Sequence, residues 1–416
     1  MCKHSLKILG LSGVVAFFGF SAYASDSLVW LSKASLISPR SSIGIAEVGG
    51  KIYAFGGCHG VALDTVESYN PSTNAWTAKA NMPTARWGMS VGVVGGIAYV
   101  IGGVDIAGNN TGVVEAYNPG TNSWTTRASM PVACSAMGCA VFNGIIYVFG
   151  GYNTAYTKAV YAYNPGTNTW SAKANMPTTR AWLAGAEIDG KIYAVGGAIA
   201  ALSTLATVEA YNPLTNTWET KASMHGARGF LAASVAAGRI YAFGGVDNSN
   251  SNISTVESYD PAGNEWRTET SLPAPQGYVG SALVDGTAYV VGGWAGASNG
   301  VATVVSSVIP GAGSPADLSK GKIIIYGNMI DLRTFAPAKI FVKGNAGMKV
   351  SLTVFDRSGR RVNGLGGMTL DNSGNGSFDY SGTDYSGKKL RTGIYLVVVS
   401  GDVNDQARIV VKGGGE

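Results

Sequence analysis

The sequence predicts an all-β protein in two parts: six copies of one strand-rich unit, then a smaller β-domain. Three observations carry this. A motif returns every 46 or 48 residues, the chain holds 59 glycines with only 13% charged residues, and the period stops near residue 310. Low charge with abundant Gly, Val, Tyr and Thr suits turn-rich sheet and excludes disorder, which needs high charge and little apolar surface.

The repeat comes first because missing it would mislead every later step. A Tyr-x-x-Gly-Gly unit occurs at Tyr53, Tyr99, Tyr147, Tyr193, Tyr241 and Tyr289. Tyr-Asn/Asp-Pro follows at Tyr69, Tyr117, Tyr163, Tyr211 and Tyr259. Seven residues on stand Trp76, Trp124, Trp170, Trp218 and Trp266, each trailed by Met-Pro or a variant. Each period holds four short β-rich runs between turn residues; in the first they are Ser41–Val48, Lys51–Phe55, Thr65–Tyr69 and Trp76–Lys79. Asn143-Gly144, Asp189-Gly190 and Asp285-Gly286 are tight hairpin signals. The double glycine implies strands crowded near a central axis, where a Cβ would clash.

These coincident motifs resemble the Kelch repeat. That resemblance implies a six-bladed β-propeller, with one four-stranded sheet per repeat. The sixth copy lacks its Tyr-Asn-Pro and Trp. Trp30-Leu-Ser-Lys-Ala-Ser-Leu36 matches Trp76-Thr-Ala-Lys-Ala-Asn-Met82 one period earlier, so the N-terminal strand is expected to complete the last blade. That closes the ring and removes an open sheet edge.

The ends of the chain read differently. Lys3 and Lys7 precede an apolar run, Ile8 to Phe20, and Ala22-Tyr23-Ala24 is a small-x-small cleavage site. Residues 1–24 therefore read as a secretory signal peptide, too short in its apolar part to span a bilayer. The expected location is secreted, extracellular or cell-surface, with the periplasm as the other compartment. Cys58, Cys134 and Cys139 remain after cleavage; an odd number argues for buried thiols over a disulfide framework. Residues 25–317 carry 14 Lys and Arg against 17 Asp and Glu, and residues 318–416 carry 14 against 8, a split that supports two domains.

Strand alternation places the working face. With strands a to d running outward from the axis, the d–a and b–c connections share one face, and the b–c loops are the longer and more varied. Four residues past each Met position stand Arg40, Arg86, Cys134, Arg180, Arg228 and Gln276. A ring of guanidiniums would attract carboxylate, sulfate or sialate-like groups. Beside them are Trp87, Trp182, Phe230 and Tyr278, and the b–c loops add His59, Asp105, Tyr152, Asp247 and Trp294. The competing reading pairs the arginines with Glu67, Glu115, Glu209 and Glu257 on strand c, as ties inside the blades.

The expected function is an exported binding protein that holds a protein or glycan on this face. No cofactor, metal, nucleic acid or transmembrane segment is expected, and the chain reads as a monomer. The alternative is a carbohydrate-active enzyme, sialate-epimerase-like or galactose-oxidase-like. The second needs two copper-binding histidines, and the mature chain has only His59 and His225, far apart in sequence. Asp371-Asn-Ser-Gly-Asn-Gly376 reads as a turn, since a calcium loop would end in Glu.

Residues 311–319 read as a linker from the propeller (25–310) to a last domain at 320–416. Its expected strands are Lys322–Tyr326, Lys339–Lys343, Lys349–Phe355, Gly376–Tyr380, Gly393–Val399 and Ala407–Lys412. Val354-Phe355-Asp356-Arg357-Ser358-Gly359, Gly382-Thr-Asp384-Tyr-Ser-Gly387 and Thr392-Gly393-Ile394-Tyr395 resemble the FlgD-type Ig-like domain. That implies a small β-sandwich acting as spacer or as surface or secretion module.

Overall fold

The computed structural model describes residues 27–200, 203–296 and 300–310, together with strand segments between 322 and 412. The expected signal peptide, the expected linker and residues 371–374 of the expected Asp371 turn lie outside the described residues. The chain divides into two compact units, Met1–Gly313 and Ser314–Glu416.

The first unit is a six-bladed β-propeller. Blade 1 is Gly44–Val48, Lys51–Phe55, Val66–Asn70 and Ala75–Lys79, hydrogen-bonded in that order, and blades 2 to 5 repeat it. Blade 6 takes Gly280–Val284, Thr287–Val291 and Val304–Val308 from one end of the chain and Leu31–Ser32 from the other. Leu31 pairs with Ser306 and Ser32 with Val305, so the ring closes as expected. Trp30 anchors this short strand by donating its indole N–H to the Thr270 carbonyl at 3.0 Å.

The pattern of each blade follows from its position. Strand b is apolar and buried on both faces (Ile52 to Phe55, Ala98 to Ile101), because it lies between neighbouring blades. Strand d is polar and exposed except for its tryptophan. The five repeat tyrosines are fully buried. Each phenol donates to the asparagine five residues on, such as Tyr69 to Asn74 at 2.8 Å. That asparagine has a positive φ and accepts the N–H of the preceding blade, as Ala34 N–H does with Asn74 at 2.9 Å. The repeat tryptophans bond the same way, Trp76 to the Ala34 carbonyl and Trp124 to the Ala80 carbonyl, both at 2.9 Å. Tyrosine, asparagine and tryptophan thus form one clasp between successive blades.

The first strand of blade 1 begins at Gly44 rather than Ser41, because Ser42 turns into the left-handed region at φ 51°. The double glycines work differently from crowding at the axis. Both have positive φ, and a Cβ on Gly56 or Gly57 would lie 2.5 Å from the Arg86 carbonyl or 2.8 Å from the Ser41 carbonyl. The crowding is against the d–a loops of the working face.

In the second unit Lys322–Ile324, Ala338–Lys343 and Asn375–Tyr380 form one sheet. Met329–Asp331, Asp405–Lys412, Gly393–Gly401, Lys349–Phe355 and Arg361–Thr369 form another. Two of these strands were not expected. Met329–Asp331 is short, and Arg361–Thr369 carries three glycines that read as loop.

Candidate ligand-binding face

The arginine ring is not on the surface. Arg40, Arg86, Arg180 and Arg228 are all 0% exposed. Arg40 pairs with Glu67 and Arg228 with Glu257; Arg86 meets Glu115 at 2.8 Å and Arg180 meets Glu209 at 2.9 Å. Each guanidinium also bonds main-chain carbonyls in or beside strands b and c: Arg180 reaches Thr207 at 2.8 Å and Ala194 at 3.1 Å. The glutamates accept from the d–a loop as well, Glu209 from Thr178 Oγ1 at 2.6 Å and Glu67 from the Ile37 N–H at 2.8 Å. Burial lowers the pKa of all four arginines, to about 10 for Arg228, and the glutamates beside Arg40, Arg86 and Arg180 oppose the shift. These groups brace the d–a loop against strands b and c. With no accessible surface they do not form an anion-binding ring, which corrects that expectation. Gln276 in blade 6 is buried too, with its amide on Thr303 Oγ1.

The two aspartates serve their own loops. Asp105 Oδ1 accepts the N–H groups of Ala107 and Asn109, and Asp247 Oδ1 those of Ser249 and Ser251, all at 2.9 Å. His59 is exposed in the first b–c loop, and Tyr152 packs edge-on to Tyr156 at 5.4 Å in the third.

What the structure does bring together is the aromatic set. Two residues past the braces, six equivalent positions surround the axis: Ser42, Gly88, Ala136, Trp182, Phe230 and Tyr278. Each N–H donates to the carbonyl of its counterpart in the preceding blade, from Gly88 to Ser42 round to Ser42 to Tyr278, at 2.8–3.0 Å. All six have φ between 51° and 65°. This closed backbone ring rims a cavity of about 110 Å³.

The ring is lopsided: three successive positions are small and three are aromatic. A bulky L-residue in the left-handed region costs about 1–2 kcal/mol, yet Trp182, Phe230 and Tyr278 all sit there. Their rings lie together, Trp182 to Phe230 at 4.6 Å and Phe230 to Tyr278 at 4.2 Å. Trp87 stacks on Trp182 at 6.0 Å and 10°, and Trp294 meets Tyr278 edge-on at 5.8 Å. All five are partly exposed. Burial, and then the Tyr156 phenol, raise the Tyr278 pKa, so it stays a protonated donor at neutral pH.

On the small side of the ring a cleft of about 380 Å³ opens, lined by Ser41, Ser42, Cys58, Gly60, Trp87, Tyr278, Trp294 and Gly300. These residues come from blades 1, 2 and 6, across the point where the chain closes. The loops leading into and within blades 1 and 2 also expose Ile37, Val61 and Ile106. Among the described residues there is no group of three or more His, Cys, Asp or Glu placed to hold a metal ion. Among the described residues no helix is long and apolar enough to cross a membrane.

The KLHDC2/KLHL20/DRC7 Kelch-repeats domain matches residues 30–197, and the Kelch motif matches residues 183–225 and 227–273. The propeller is built of Kelch repeats. Among solved structures the Kelch propeller is similar to one titled "Structure of YjhT", with a TM-score of 0.58 and 18% identity over 66% of this chain and 96% of that one. At that identity the likeness is one of fold. No curated protein matches the chain in sequence.

Proposed function

We propose that this Kelch propeller is an exported binding protein that holds a glycan on its loop-rich face. The observation that carries the reading is the strained aromatic half of the axial ring beside an open cleft. Small residues satisfy the same backbone ring in the other three blades, so packing alone does not call for Trp182, Phe230 and Tyr278. Strain retained beside a concavity marks a working surface. A cleft of about 380 Å³ lies within the size range of small-ligand sites. The N-terminal signal sequence supports export, and the FlgD-like motifs support a C-terminal sandwich serving as spacer or surface module.

Binding is favoured over catalysis because the eight lining residues include no carboxylate, imidazole or cation to work as an acid–base partner to the Tyr278 phenol or the Cys58 thiol. The test is titration of the mature full-length chain against a glycan array, with tryptophan fluorescence as readout. Saturable quenching by a glycan, abolished in Tyr278→Ala, is the expected result. Turnover of a sugar without stable binding would replace this reading with the enzymatic one.

A further inference from the structure

Resting on the binding reading above, we infer that the ligand is an uncharged saccharide whose rings stack on Trp87 and Trp294. The chemistry of the cleft and the disposition of nearby charge both point this way.

The cleft offers three aromatic faces, two serine hydroxyls and main chain exposed at Gly60, and its lining holds no ionised side chain. The arginines closest in sequence, Arg40 beside Ser41 and Arg86 beside Trp87, are buried and matched by Glu67 and Glu115, and the exposed imidazole of His59, between Cys58 and Gly60, is not part of the lining. Asp105 and Asp247 each commit an oxygen to two loop N–H groups. A carboxylate or sulfate entering the cleft would lose its water and meet no counter-charge, a cost of several kcal/mol. A neutral sugar loses far less. Its C–H groups carry slight positive charge and suit the negative face of an indole. Its hydroxyls exchange water for the Ser41 and Ser42 hydroxyls and the bare backbone.

The platforms are held in place before any ligand arrives. Trp87 lies in a short ladder with Val104 and stacks on Trp182. Trp294 pairs by backbone with Gly277, and its carbonyl accepts Asn252 Nδ2 at 2.8 Å from the neighbouring blade's loop. Rigid aromatic surfaces lose little entropy on binding. Asn252 is thus a positioning residue for Trp294, tying one wall of the cleft to blade 5.

The experiment uses the mature full-length chain. Calorimetry and tryptophan fluorescence are run with uncharged gluco-, galacto-, manno- and N-acetylglucosamine-configured oligosaccharides, and with sialylated and sulfated counterparts. The expected result is saturable binding of an uncharged sugar whose affinity is flat from low to high salt. Trp87→Ala and Trp294→Ala should each weaken it about tenfold or more, about 1.4 kcal/mol, with circular dichroism unchanged. Trp87→Phe should recover part of the loss, which separates stacking from folding. A maleimide on Cys58, inside the cleft, should block binding, and the sugar should slow that labelling.

Preference for the charged sugars, with affinity falling as salt rises, would overturn the inference while leaving the face as the binding site. So would binding untouched by both tryptophan variants. Capture of a protein partner lost in Trp87→Ala, with no sugar bound, would sink the saccharide while the face survives. No binder of either class on a folded chain would sink both readings.

Discussion

In blade 4 the slot between the d–a loop and strands b and c holds Arg180 against Glu209. In blade 3 the same slot holds Cys134 and Tyr161 and keeps a cavity of about 100 Å³, lined also by Val148, Gly150 and Ala159. The two blades have the same four strands, and Cys134 is buried as the arginines are. The fold therefore does not require a charge at this point. What it requires is that both members of the pair change together. A buried ion pair offsets its own desolvation and adds little net stability, whereas half of one is a heavy penalty. Burial lowers the Arg228 pKa to about 10, so this guanidinium keeps its charge, and its desolvation cost, through neutral pH.

The sharpest way to break this comparison is to remove one partner. Glu209→Leu leaves Arg180 buried and alone and should cost about 3–5 kcal/mol by urea denaturation. A loss below 1 kcal/mol would mean that water reaches the guanidinium and the brace is not buried in solution. Changing both, Arg180→Met with Glu209→Leu, makes blade 4 resemble blade 3 and should return stability to within about 1 kcal/mol of the parent. The reverse exchange, Cys134→Arg with Tyr161→Glu, should be tolerated within about 2 kcal/mol because the cavity supplies room. Cys134→Arg alone should be clearly worse than the pair.

The smallest effect concerns the thiols of blade 3. Burial raises Cys134 to about 11 and Cys139 to about 12. Both should resist a thiol reagent at pH 8 in the native chain while Cys58 reacts; equal labelling of all three would show blade 3 open. The sign for stability follows. Between pH 9 and pH 11 the unfolded chain gives up these protons before the native one does, so their contribution falls as pH rises.

The ring of blades and its closure by the N-terminal strand were legible, because each copy of Tyr, Trp and double glycine reinforces the others. The braces were less so, though the clue stood in the chain. The two blades without the arginine, with Cys134 and Gln276, also lack the glutamate, and carry Tyr161 and Val305 instead. A ligand-facing arginine would not need that correlation; a buried pair does. The aromatic residues were legible as a set, but their left-handed backbone and the way they lean across the axis were not. The cleft was beyond reach, since Cys58, Trp87, Tyr278 and Trp294 meet only when blades 1, 2 and 6 come together. The second unit's glycine-rich strand was missed because cross-strand partners, absent from local sequence, hold it.

The six bonds around the axis join main-chain atoms only, so the residue at each position can be replaced without cutting the circle. A Gly88→Trp exchange would present a new aromatic on the opposite half while the clasp stayed whole. The propeller is in this sense a fixed mount with six exchangeable faces, able to acquire a new specificity one substitution at a time.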